Sequence, residues 1–249
     1  MQKTKTKISK ASIYQFESFF HLHFLSESVS SSYTDRVKLT EISKILKNST
    51  VSSVEVIHFN SAPSIIPVKF YDKGIKAKYL ETNTGSINNI DEDISADQKI
   101  NIVYSKNKDL SKTLGLDKKK VSHVNHFTQL YNYLSGVVDN SDGLSFFIKI
   151  NSGSFQIMIY NKNEFVFFNT FEIVDENEFL YYTFFVLKNF QRSIKKDKII
   201  FIGRHEIFDK YYNLASKYSR IDFIEDDTYS ILNFEENFFS VINANNIRD

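Results

Sequence analysis

The sequence predicts an α/β protein with mixed sheets, two-lobed and built from one strand-meander and helix unit used twice. Three observations predict it. Residues 144–201 read as three short apolar strands (144–150, 154–160 and 164–171), an aromatic helix (176–191) and a further strand (198–202) ending at Gly203. The first half of the chain reads in the same order without repeating the same residues. The composition has 42% hydrophobic residues, with 24 Phe and 14 Tyr but only 7 Gly and 2 Pro. That predicts thick, ring-filled layers and argues against fibrous or heavily looped designs.

In the first half, residues 1–10 are polar and read as a flexible arm. Residues 12–16 and 19–25 read as strands; in the second, Phe20, Leu22 and Phe24 alternate with His21 and His23. Leu39, Ile42, Ile45 and Leu46 recur at helical spacing and predict a helix over 36–47. A β-branched strand follows at 54–59. Residues 61–64 break it, and Pro67 suits the first turn of a short helix. A second short helix covers 75–80, and 99–104 is a strand. Asn107 can cap a helix that stops at Gly115, with Leu110 and Leu114 inward. After a strand at 121–124, Phe127, Leu130, Tyr131 and Leu134 mark a helix that Gly136 would stop in a left-handed turn.

The polar run 137–143 is the best junction, which gives subdomains 11–138 and 139–249. In the second half Asp175 can cap the aromatic helix, with Glu178 three residues on as in a capping box. Phe179, Tyr182, Val186 and Phe190 form one stripe, Leu180, Phe184 and Leu187 another, and Tyr181 and Phe185 extend the apolar surface almost all round. Such a helix is expected to be covered on nearly every side. A helix over 206–217, a strand over 220–224 and a last helix over 234–242 complete the chain.

Charge and cysteine count exclude several classes. Lys plus Arg is 31 against 30 Asp plus Glu, a net charge of +1, which argues against a nucleic-acid partner, since phosphate binding draws on basic excess. The lysines at 3, 5, 7 and 10, at 118–120, and at 195, 196 and 198 read as solvated tails and loop tips. With no Cys there is no disulfide, thiolate nucleophile or Cys-based zinc site. No apolar h-region follows the N-terminal charges, and no apolar run reaches the ~18 residues of a membrane helix, so membrane insertion is not expected and the cytoplasm is.

Three segments together resemble a known family. They are Ser64-Ile65-Ile66-Pro67-Val68-Lys69-Phe70-Tyr71-Asp72, then residues 123–134, then Asn169-Thr170-Phe171 with 175–182 and Phe201-Ile202-Gly203. In order and spacing, over most of 11–242, they are similar to a Bacteroidetes family described only as a domain of unknown function. That family has the actin-like ATPase (ribonuclease H-like) fold shared by sugar kinases, heat-shock chaperones and actin.

The resemblance implies two phosphate-binding hairpins, each with an Asp that helps place a metal ion, and a Gly pair near the adenine. The first hairpin falls near Gln15-Phe16-Glu17-Ser18, without Gly or Asp, and bulky residues there would block phosphate approach. The second is Asn151-Ser152-Gly153-Ser154, with Asn151 where an Asp would stand; Asn offers an oxygen to a metal but no charge. The third is Gly203-Arg204-His205, with one Gly instead of two. Asn151 to Ser154 otherwise reads as a tight turn joining two strands, Gly203 as a strand-exit turn residue and Arg204 as a surface residue. Asn151, Ser152, Gly153, Ser154, Gly203 and Arg204 are therefore the candidate nucleotide-binding residues, and no catalytic residue is assigned.

His21 with His23 and His123 with His126 lack a third ligand at standard spacing, so no metal site is assigned; His58 and His205 read as isolated. Asp91, Glu92 and Asp93, and likewise Glu225, Asp226 and Asp227, read as solvated loops. The leading expectation is a non-catalytic pseudo-ATPase that binds a protein partner and needs no cofactor. The alternative is a nucleotide-binding phosphotransferase or ATPase using ATP and Mg²⁺.

Overall fold

A computed structural model describes residues 8–15, 20–26, 30–37, 39–47, 51–59, 61–81, 89–106, 110–115, 120–138, 143–151, 153–192 and 198–224. Outside them lie residues 1–7 of the expected arm, the first-hairpin residues 16–19, Asn107, most of the junction, Ser152, the acidic cluster at 225–227 and the last helix. The chain divides into two compact units, Met1–Leu134 and Ser135–Asp249.

The first unit contains β1 (Ile8–Gln15), β2 (Phe20–Ser26), β3 (Ser30–Val37), α1 (Leu39–Lys47) and β4 (Ser53–His58). Then come β5 (Ser64–Pro67), α2 (Lys76–Glu81), β6 (Ile90–Ile94), β7 (Ile100–Ser105), α3 (Leu110–Thr113) and β8 (Lys120–Asn125). The helix α4 (His126–Val137) spans the division between units. The second unit continues with β9 (Leu144–Asn151), β10 (Ser154–Asn161), β11 (Glu164–Glu172), α5 (Glu176–Asn189), β12 (Lys198–Ile202), α6 (Asp209–Ser216) and β13 (Arg220–Ile224).

The duplication is visible in sheet order. The first sheet runs β3-β2-β1-β4-β8 and the second β11-β10-β9-β12-β13, so the two match position for position. In each, an antiparallel meander supplies three strands, and the last two lie parallel to the first. The first unit alone inserts a small sheet, β5-β7-β6, between β4 and β8.

Packing follows the apolar periodicity. On α1, Ile42 and Leu46 meet Ala11, Ile13, Val54 and Val56. Phe127, Leu130, Tyr131 and Leu134 are all buried on α4. In the second unit α5 and α6 lie on one face of the sheet: Phe179 meets Phe155 at 4.8 Å and Tyr211 at 5.4 Å, and Tyr212 meets Phe201 at 4.8 Å. β10, next to the central strand β9, is buried along both faces from Phe155 to Tyr160, which is why those residues are apolar except for Gln156. At the start of α5, Asp175 accepts from the N–H groups of Asn177 and Glu178. Glu178 reaches back to accept from the N–H of Val174, one residue beyond the N-cap N–H of a standard capping box.

Several expectations are corrected. β1 begins at Ile8 and pairs with β2, so residues 8–10 belong to the sheet. Residues 36 and 37 end β3, and α1 starts only at Leu39. Residues 61–63 break the chain after β4, but Ser64 already begins β5, in which Ile66 and Ser64 face inward; Pro67 both ends that strand and leads into a short 3₁₀ turn. Gly136 lies inside α4, whose side-chain spacing outweighs the glycine, whereas Gly115 does take a left-handed φ of 64° after α3. On α5, Tyr181 and Phe185 are 64% and 53% exposed, so among the described residues that helix is covered on one side only.

Candidate functional site

The carboxyl ends of parallel strands are where open α/β sheets present ligand-binding groups. In the first unit three such ends lie side by side. Gln15 of β1 faces His58 of β4, and His58 faces Asn125 of β8, in one register row. All three are buried, at 4%, 0% and 0% exposure. Apolar strands thus end in a row of neutral polar side chains.

Asn125 organises the start of α4. Its Oδ1 accepts from the N–H of Phe127 at 2.9 Å, and its Nδ2 donates to the Ser61 carbonyl at 3.0 Å. Its own N–H donates to Asp93 Oδ2 at 2.7 Å, which also accepts from Thr128 Oγ1 at 2.7 Å; Tyr104 donates its hydroxyl to the other oxygen at 3.2 Å. A carboxylate from β6 therefore satisfies donors that a helix N-terminus leaves open. Burial raises the pKa of Asp93, and these hydrogen bonds oppose the rise.

His58 and His123 share one proton between Nε2 and Nδ1 at 3.0 Å, with rings stacked at 5.3 Å. Burial, and after it His123 and Lys106, push His58 down to about 4, while Asp91 opposes. His123 is also lowered, by burial and Lys106. Both rings are neutral at pH 7. The pair is a hydrogen-bonded strut and supplies no charge for a phosphate.

The sequence reading missed this cluster. His58 is not isolated, and His126 turns away from His123 to bond the His58 carbonyl at 3.3 Å. The acidic run is a strand rather than a solvated loop. Asp91 pairs with Lys106, and Glu92 accepts from Tyr71 and pairs with Lys73 and Lys76. Ile90 and Ile94 bracketing the three acids, and Asn125 ahead of an apolar helix, were the available signals. Nothing in local sequence joins residues 93, 104 and 128. Among the described residues no group of three or more His, Asp or Glu could hold a metal ion. The side chains of His21 and His23 lie outside them.

In the second unit Asn151 ends β9 and pairs with Ser154 across the β9–β10 turn. Gly153 has φ 73° and is exposed, and its carbonyl accepts from the N–H of Ile173 at 2.9 Å. Gly203 follows β12 with φ 72°, and its N–H donates to the Ile224 carbonyl at 3.0 Å. Arg204 is exposed and lies 5.2 Å over the Phe223 ring. His205 donates its N–H to the Tyr212 hydroxyl at 3.4 Å, and burial followed by Lys149 lowers its pKa. Because β9 and β12 are parallel, Asn151 and Gly203 occupy the same edge of one sheet.

Comparison with solved structures agrees with this architecture. A Bacteroides thetaiotaomicron VPI-5482 protein with actin-like ATPase fold and unknown function is similar at TM-score 0.73 and 14% identity, over 92% of this chain and 96% of that one. A chain of the PilM-PilN type IV pilus biogenesis complex is similar at TM-score 0.57 and 9% identity, over 95% of each chain. The fold is the actin-like ATPase fold. The chain belongs to the family described as Protein of unknown function (DUF3822), whose model matches residues 8–221. No curated protein matches it. Among the described residues no helix is long and apolar enough to cross a membrane.

Proposed function

We propose that this chain is a non-catalytic domain of actin-like fold that works by holding a protein partner, its grip on triphosphate having been lost. One observation carries the reading. The residue ending the first strand is a carboxamide in both units, Gln15 at the end of β1 and Asn151 at the end of β9. A carboxamide cannot supply the negative charge with which carboxylates and substrate phosphates together hold Mg²⁺. The acid that bonds to this row in the first unit, Asp93, is committed to the start of α4. Use of the same fold in a pilus biogenesis complex supports a partner-holding role by analogy. The lack of cysteine fits a cytoplasmic setting.

The competing reading places ATP at Asn151, Ser152, Gly153, Ser154, Gly203 and Arg204. It draws on Gly153 and Gly203, whose positive φ at one sheet edge would let a backbone approach a phosphate. Titration calorimetry with ATP and Mg²⁺ separates the two. The expected result is no heat beyond dilution. Micromolar binding that disappears in Gly153→Asp would overturn the partner-holding reading.

A further inference from the structure

We propose that the open edge of β11, together with the outward rings of α5, is the docking groove for an extended segment of a partner protein that carries basic residues at both flanks and apolar residues between. The assignment rests on the partner-holding reading and gives it a surface and a partner chemistry.

β11 terminates its sheet and pairs, among the described strands, with β10 alone. Edge strands expose backbone groups that accept a further strand, and proteins guard them with short length, charge, proline or bulges. The other edges here are guarded. β3 reads Ser-Ser-Ser-Tyr-Thr-Asp-Arg-Val, β5 ends in Pro67, β6 is acidic, and β8 has six residues, starts at Lys120 and gives its last N–H to Asp93. β13 has five residues, with Asp222 paired to Lys198. β11 differs: its nine residues include Phe165, Val166, Phe167, Phe168 and Phe171, with no Lys, Arg or Pro. A register irregularity affects only its beginning, opposite Ile159 and Tyr160. Asn169 Oδ1 occupies one backbone donor of the strand, the N–H of Thr170, at 3.0 Å.

A ladder of rings leads from this edge to solvent. Phe171 stacks on Tyr182 at 5.0 Å, Tyr182 meets Tyr181 at 5.3 Å, and Tyr181 stacks on Phe185 at 6.4 Å. Tyr181 is 64% and Phe185 53% exposed, and Val174 beside the end of β11 is 83% exposed. A strand added to β11 would lay its side chains against these rings. Main-chain pairing would give affinity, and the ring shelf would select apolar side chains.

Charge decides the occupant. Glu164 and Glu172 close the two ends of β11, are exposed, and form no ion pair with a described residue. A second copy pairing antiparallel about Phe168 would set Glu164 against Glu172 at both ends, and like charges directly opposite are destabilising. A segment from another protein with Lys or Arg at those ends reverses the sign of both contacts.

The test is fluorescence anisotropy with a labelled peptide matched to the nine residues of β11, alternating Val and Thr with Lys at both ends, against the same peptide ended by Glu. The protein should bind the Lys-ended peptide about tenfold more tightly. The exposed double change Glu164→Lys with Glu172→Lys should invert that preference, and Tyr181→Ser with Phe185→Ser should weaken both peptides. An unaltered preference in the charge-reversed protein would overturn the proposal. So would absence of peptide binding, or a dimer in sedimentation that the Tyr181→Ser, Phe185→Ser protein fails to form. Calorimetric ATP binding would sink the underlying reading instead, so the two failures are distinguishable.

Discussion

The two units share one strand order and differ in what fills it. In the second, the sheet is covered by rings: Phe155, Phe179, Phe201, Tyr211 and Tyr212 pack in tilted and edge-on pairs. In the first, the corresponding cover is aliphatic, from Ala11, Ile13, Ile42, Leu46, Val54 and Val56. The first unit also buries a polar row at its strand ends, held by an acid from its inserted sheet. The difference teaches that this topology is set by the order of meander, helix and parallel strands, and tolerates quite different core chemistry. What the units have in common at the end of the first strand is a carboxamide.

The comparison is broken most strongly by emptying each core at its equivalent helix. Phe179→Ala on α5 removes a fully buried ring that touches Phe155, Phe201 and Tyr211. It should cost about 3–5 kcal/mol, and Ile42→Ala on α1 about 2–5 kcal/mol. Urea unfolding curves check both. A Phe179→Ala loss below that of an exposed control would mean that rings do not hold the second unit.

The polar row should appear in pH dependence. His58 has an ordinary pKa of 6.5 and about 4 in the folded protein. As pH falls, the unfolded chain takes up the proton first. The stability that neutral His58 contributes is therefore complete above about 6.5 and is lost as pH falls toward 4, on the order of 3 kcal/mol in all. His123, also lowered, acts in the same direction; Asp93, raised by burial, acts against it. Lys106 and Asp91 face the pair with opposite signs. His58→Asn should flatten the dependence of the urea midpoint between pH 7 and 4.5. An unchanged slope would show that the strut is not buried as described.

The smallest expected effect is at the helix cap of the second unit. Asp175→Ala removes the acceptor for two N–H groups at the start of α5. A small drop in Tm is expected, partly restored by Asp175→Ser, because a serine hydroxyl accepts the same bonds. Equal Tm values for all three proteins would remove the cap from the account.

Much of the fold was legible in the chain. The second unit declares itself because its strands are short, apolar and separated by turns, and because Asp175 and Gly203 mark where elements begin and end. The first unit is harder to read. Ile90-Asp91-Glu92-Asp93-Ile94 looks like a solvated run until Lys106, Tyr71 and the start of α4 are brought to it from distant parts of the chain. Pro67 reads as the start of a short helix, and a 3₁₀ turn does follow it; the strand ahead of it is missed because nothing local shows that Ile66 and Ser64 face inward. Gly136 reads as a stop because its neighbours' packing is not local information. Asn151 and Gly153 were visible as a turn, but their match to Gln15 in a second sheet emerges only from strand order.

On the proposed reading, neutral amides at both first-strand ends leave no grip on a metal-bound triphosphate. Thermal unfolding with and without excess ATP and Mg²⁺ tests it most directly, because any ligand bound to the folded state alone must raise Tm. Superimposable melting curves are expected. A Tm that climbs with ATP concentration, and falls back when Gly153 is replaced by Asp, would contradict it.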